Sequence, residues 1–463
     1  MCLEHTTRSV CVAAGMPLRS AWRLVVCAVL LAVLGGCATY SDTTEAARKL
    51  ARVGDYDGAV VELDKLLKVD DIHAHPDKFG NETALVLLER GMLHQARADY
   101  EGARDDLLVA DKQIELLDFT NSAGSDVAGY FYSDSTGPYR ISPVERLSLN
   151  SMNILNFLAI GDLRGARVEA KRFTVIRKYL KDTNPDHAHG AIGSYLAGFV
   201  YEYLGEGNSA MRHYDDALEE GLFQSLVDPL GELSQQVSYR GRHIPDLLER
   251  ESSNSVSGGG EILVVAGVGR VPYKVPKRMP IGAAIGIVAL EVTEDLDVLE
   301  RSAFKVLVYP ELVPAEGMHR TARATIDGAS VPMDEVTDIG AELVREYEEI
   351  KPLVITAAVT RMITRAIAAE GARAAAKQAG GDTGAVLGVL AGLATEGLLV
   401  AADKPDTRSW TLLPEKVFVS RERVPAGSHD VSVALGQAGL DLRTTTVDVP
   451  EGGFALVVVM PLF

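Results

Sequence analysis

One short phrase recurs and constrains the first half of this chain more than any other feature. Gly54-Asp55-Tyr56-Asp57-Gly58-Ala59 is followed by Ala98-Asp99-Tyr100-Glu101-Gly102-Ala103 and by Gly161-Asp162-Leu163-Arg164-Gly165-Ala166. A looser fourth copy is Gly205-Glu206-Gly207-Asn208-Ser209-Ala210, and the starts lie 44, 63 and 44 residues apart. Each phrase closes one stretch of helical apolar spacing and opens another. Leu85, Leu88 and Met92 precede the second copy, and Ala103, Leu107 and Leu108 follow it. The small residue after each turn lets two helices approach closely. Residues 42–250 therefore read as an array of helical hairpins.

The phrase resembles the one that opens the second helix of a tetratricopeptide repeat (TPR). The usual period of that family is about 34 residues, so the longer spacing here requires insertions between units. The alternative is a helical bundle with similar turns, and either arrangement offers a groove as its binding surface. The longest insertion, 119–145, is aromatic and turn-rich, with Tyr130, Tyr132 and Tyr139 as candidate partner anchors. The other reading of that insertion is a loop that folds its aromatics onto the array as a cap.

The N-terminus supplies an address. Leu24 to Leu34 is apolar except for Cys27, and Leu34-Gly35-Gly36-Cys37 follows. An apolar run of that length suits a signal-peptide core and is too short to span a bilayer. The motif resembles the lipobox of bacterial lipoproteins. That resemblance implies removal of residues 1–36, lipidation of Cys37 and a permanent anchor at residues 37–41. A plain secretory signal is the alternative. Met16 heads a shorter basic n-region than Met1 does, so either is a candidate start. Ala38 stands where an inner-membrane lipoprotein of this kind commonly has Asp, so the expected location is the outer membrane, facing the periplasm.

Composition agrees with that address. The four cysteines are Cys2, Cys11, Cys27 and Cys37, so the mature chain keeps only the lipidated one and has no disulfide. Residues 37–463 are ample for two or three domains. Without residues 1–36 the chain holds 43 basic and 63 acidic residues, a balance of −20. That argues against nucleic acid and against adhesion to anionic lipid.

The pattern changes after a flexible linker at 251–260, Glu251-Ser252-Ser253-Asn254 through Gly258-Gly259-Gly260. Short strand candidates follow at 262–265, 304–309, 322–326, 417–420, 429–434, 444–449 and 455–459. Pro-x-Gly turns lead into two of them, as in small Ig-like periplasmic modules. Residues 335–402 interrupt the strands as a helical insertion, with a break or start at Pro352. Within it, 384–402 is almost wholly apolar and carries Gly384, Gly388 and Gly392 at helical spacing. The expected fold is thus multidomain, α followed by α+β. A TPR-like helical-hairpin array over 42–250 precedes a β-sandwich-like module with inserted helices over 261–463.

Chemistry is sparse. The apolar helix reads as a membrane-inserting or self-associating face, or as a core helix in which Glu396 is tolerated. His73-Ala74-His75 and His187-Ala188-His189 are paired imidazoles near Asp residues that read as surface loops, so no metal is expected. Asp406-Thr407-Arg408-Ser409-Trp410, before Leu412-Leu413-Pro414, reads as a structural corner of the β-module built on Asp406, Arg408 and Trp410. There is no G-x-S-x-G elbow, no H-E-x-x-H and no P-loop, and no cofactor is expected.

The lipobox, the degenerate TPR-like helices, Gly161 to Ala170 and the Asp-Thr-Arg-Ser-Trp cluster together resemble an uncharacterised family of proteobacterial lipoproteins. Members are often found beside lipoproteins that resemble activators of penicillin-binding proteins, which implies cell-envelope assembly. The resemblance brings no catalytic residues. The expected role is a lipid-anchored periplasmic scaffold, not an enzyme, that binds envelope proteins or lipoproteins. The alternatives are a membrane-associated oligomer and a cell-wall-acting enzyme.

Overall fold

A computed structural model describes residues 39–121, 137–183, 190–250, 259–287, 306–317, 319–378, 405–436 and 441–462. Helices fill the N-terminal part and sheets the C-terminal part, an α plus β mixture. The helices are α1 (Tyr40–Thr43), α2 (Glu45–Arg52), α3 (Tyr56–Leu67), α4 (Thr83–Ala96), α5 (Tyr100–Asn121), α6 (Pro143–Ala159), α7 (Leu163–Thr183), α8 (Ala191–Tyr203), α9 (Gly207–Leu218), α10 (Val227–Gln236) and α11 (Ile244–Arg250). Among the described residues no helix is long and apolar enough to cross a membrane.

The recurring phrase has a physical cause. Its acidic residue caps the helix that follows: Asp55 accepts from the Gly58 N–H, Asp99 from Gly102 and Asp162 from Gly165. The glycine three places on is required because a Cβ there would meet the cap carboxylate at 2.5 to 2.7 Å. The phrase therefore records a cap folded tightly over its own helix. At α6 the cap is Ser142, with Pro143 next and Glu145 completing a capping box.

The strands are β1 (Gly260–Val268), β2 (Tyr273–Pro280), β3 (Val306–Val313), β4 (Ala322–Ile326), β5 (Ala329–Val331), β6 (Asp334–Asp338), β7 (Lys416–Val424), β8 (Gly427–Leu435), β9 (Asp441–Val449) and β10 (Phe454–Val459). They form a sheet β10-β1-β7-β6, a ribbon β2-β3 and a sheet β5-β4-β8-β9. β1 is buried along its whole length because it serves two cores. Ile262, Val264, Ala266 and Val268 share an apolar cluster with Val431, Val433 and Leu435 of the other sheet. Leu263 and Val265 join the helical core instead.

Several expectations change. The helical part and the sheets do not stand as two bodies joined by a linker, because Thr39–Thr364 and Lys404–Phe463 form one compact unit. Residues 251–258 of the linker lie outside the described residues, and Gly259 already packs against Val424. Glu335 to Asp338 belongs to β6, pairing with β7, so the inserted helix begins later than expected and runs Ile339–Gln378. That long helix, hereafter α13, continues through Pro352 without ending there. Residues 281–287, equally readable as a strand, form a helix, α12 (Ile281–Ile287). β2 escaped notice because its sequence carries Pro276 and Pro280. The ribbon tolerates them because each strand has only one partner, with Pro276 opposite Pro310.

Candidate functional site

The surface expected to receive a partner is filled by the chain itself. Thr407 to Leu413 are buried against the helices without forming helix or strand. Glu89 of α4 accepts from the Thr411 and Leu412 N–H groups and from the Thr411 hydroxyl at 2.7 to 2.8 Å. Glu145 of α6 accepts from the Trp410 N–H at 2.7 Å. Burial outweighs these donors at Glu89 and pushes its pKa up to about 7. Arg408 grips Asp406 through two nitrogens at 2.6 and 2.8 Å and donates to the Gly137 carbonyl at 2.6 Å. Trp410 is fully buried. Asp406, Arg408 and Trp410 thus act structurally, but they tie the segment to the helices rather than closing a corner within the β-module.

A second junction lies along β1 and β7. The buried Arg421 bonds Glu261 on the neighbouring strand, Glu202 on α8 at 2.8 Å and the Tyr214 hydroxyl on α9 at 2.8 Å. Tyr203 donates to Glu261 at 2.7 Å, and Phe199 and Tyr203 pack edgewise on Phe454. These contacts satisfy one another.

The candidate anchors fare differently. Tyr139 is only 4 % exposed and donates to Glu145, so it is part of the junction and not a surface anchor. Tyr130, Tyr132, Cys37 and the glycine-spaced run 384–402 lie outside the described residues, as do His187 and His189. His73 and His75 take different partners, Asp99 and Asp106. His75 bonds Asp106 at 3.0 Å, and Asp106 also takes two bonds from the fully buried Arg90. Arg90 reaches Asp64 and the Ala74 carbonyl as well, fastening α3, α4, α5 and the intervening loop together.

The site with free chemistry lies at the start of the compact unit. A cavity of about 410 Å³ is lined by four cations, Arg48, Lys49 and Arg52 of α2 and Arg270, and by three carboxylates, Asp42, Glu45 and Glu316, with Tyr273 beside them. That size suits a small ligand or a partner's side chain. Gly269, at φ +65°, ends β1, and Arg270 follows it. Arg270 is 7 % exposed, and its Nε has no hydrogen-bond partner among the described residues. Burial, aided by the nearby Arg48 charge, lowers its pKa. Its neighbours are more settled. Lys49 pairs with Glu45 and Arg52 with Glu316, both at 2.6 Å. Arg48 donates to Thr44 and to the Ser41 carbonyl, and lies over the Tyr273 ring.

Sequence reasoning missed this site. The basic run Arg48, Lys49, Arg52 in so acidic a chain was the available signal. Arg270 carried none, since only the fold brings it to α2. No protein-family model matches the chain, and no curated protein matches it.

Proposed function

We propose that the protein is a lipid-anchored, periplasm-facing scaffold of the cell envelope, and that it holds its partner through an acidic group in the basic cavity. One observation carries the reading: Arg270, buried with an unsatisfied Nε, lines a cavity that three further cations share. A buried, unpaired guanidinium costs stability unless an anion completes it. A carboxylate or phosphate does so with paired N–H donors. The three capped turns, and the fourth turn of the same backbone form at Glu206, support a TPR-like array, and the two sheets sharing one core support a β-sandwich-like module. The array is packed from within by residues 407–413, so the partner is received at the edge beside α2.

The lipobox-like sequence fits the position of that cavity. Ala38 alone separates Cys37 from Thr39, a reach of about 7 Å at full extension. Tyr40 is already buried, and the Ser41 N–H donates to Thr407.

Labelled fatty acid should enter the wild type and not Cys37→Ala. Envelope proteins recovered with the mature wild type should be lost with Arg270→Gln, whose melting temperature should equal or exceed that of the wild type, because an unpaired buried charge is gone. A marked fall in melting temperature with recovery intact would make Arg270 structural and defeat the reading. Cleavage of peptidoglycan by the pure protein would move the protein to the enzyme class.

A further inference from the structure

The second copy of the turn phrase differs from the others in one buried side chain. In each copy the N–H of the acidic residue bonds the carbonyl five places back: Asp55 to Leu50, Asp162 to Phe157, Glu206 to Tyr201 and Asp99 to His94. Three of those positions are apolar or aromatic, so the turn does not require an imidazole. His94 is nevertheless fully buried there.

Its two nitrogens are in different states. Nε2 faces the Ile72 carbonyl at 3.1 Å, an acceptor only, so Nε2 carries the proton. Nδ1 is then a bare lone pair. It sits 2.7 Å from Asp99 Oδ2 and has no other polar neighbour that it bonds. Two acceptors face each other across a gap that a cation would fill. Asp99 Oδ1 is occupied by the Gly102 N–H, which fixes the carboxylate and leaves Oδ2 free to face inward.

A third donor completes the set. His73 stacks on His94 with ring centres 5.4 Å apart, and its Nε2 is 3.8 Å from Asp99 Oδ2. The three donor atoms lie within 4.8 Å of one another. A tetrahedral zinc with bonds of about 2.1 Å sets its ligands roughly 3.4 Å apart, so to hold one the His94–Asp99 pair opens from 2.7 Å while the half-exposed His73 ring draws in from 3.8 Å. The bond from His94 Nε2 to a backbone carbonyl is the usual outer support of a metal-bound imidazole.

We propose that His73, His94 and Asp99 form a binding site for a divalent transition metal of the zinc class. Two imidazoles and one carboxylate suit zinc and leave a fourth position on the solvent side of His73, open to water or to a ligand atom from a partner. Bound metal would fasten the loop between α3 and α4 to the α4–α5 turn.

Isothermal titration of the chelator-treated mature protein with zinc sulfate tests this, with cobalt(II) absorption as a second readout. One equivalent should bind with a dissociation constant in the micromolar range or below, and cobalt should give the intense visible bands of tetrahedral coordination. His94→Leu, which installs the residue of the first turn, and Asp99→Asn, which keeps a helix cap, should each weaken binding at least 100-fold. His75→Ala, which alters a histidine outside the set, should bind as the wild type does. Absence of stoichiometric binding, or unchanged affinity in both His94→Leu and Asp99→Asn, would overturn the proposal. Equal loss in His75→Ala would do the same, by showing diffuse surface chelation.

Discussion

Glu89, Glu342 and Glu346 are carboxyls that burial drives up to about 7, 8 and 8. Each binds a proton in the fold that it releases on unfolding at neutral pH. Such a group gives its full stability below the unfolded pKa and loses it as pH rises through the folded one. His213 runs the other way, since burial lowers it to about 4 and its contribution fades as pH falls below about 6.5. Between pH 6.5 and 8 the glutamates dominate, and His429, raised by Asp327, acts in the same direction. Stability of the mature protein should therefore fall across that window. Glu346→Gln should flatten the fall by about 1.4 kcal/mol per pH unit, one proton's share. Urea midpoints at pH 6.5 and 8 check this, and an unchanged slope would contradict it. At this scale the sequence was partly readable. The acidic cap residues stand in the recurring phrase itself, whereas nothing in the local sequence marks Glu89 or Glu346 as buried, because their burial comes from packing far along the chain.

Elements were more legible than their partners. Apolar spacing located the helices through residue 250 and most of the strands, because each has one face turned to a core. It did not show that the helices and the first sheet share a core. Glu89 meets Thr411, 322 residues away, and Glu145 meets Trp410, 265 residues away. Neither end of such a contact carries a local signal, and Asp406 to Trp410 therefore read as a corner of the module that contains them. For the same reason the sequence left Tyr139 open between a partner anchor and part of a cap on the helices. The role of this segment is testable. Trp410→Ala should cost ~3–5 kcal/mol, as for a large buried aromatic. It should loosen α4 and α6 as well as the segment, seen as faster hydrogen exchange at those helices. Faster exchange confined to the β-strands would return the cluster to a corner of the β-module.

At the scale of the whole molecule, one compact unit takes the place of two domains on a linker. β1 accounts for this, since it cannot bury both faces unless the helices and the second sheet close on it together. The helices are packed from inside by residues 407–413. The chain has two tryptophans, Trp22 and Trp410, and removal of residues 1–36 leaves Trp410 alone at the junction. Equilibrium urea unfolding of the mature protein, followed by Trp410 fluorescence and by helical circular dichroism, tests the central claim most directly. The account predicts coincident curves with one midpoint, because the helices lose their core when the segment leaves. A fluorescence transition complete while the helical signal is still native would show two independent bodies and contradict it.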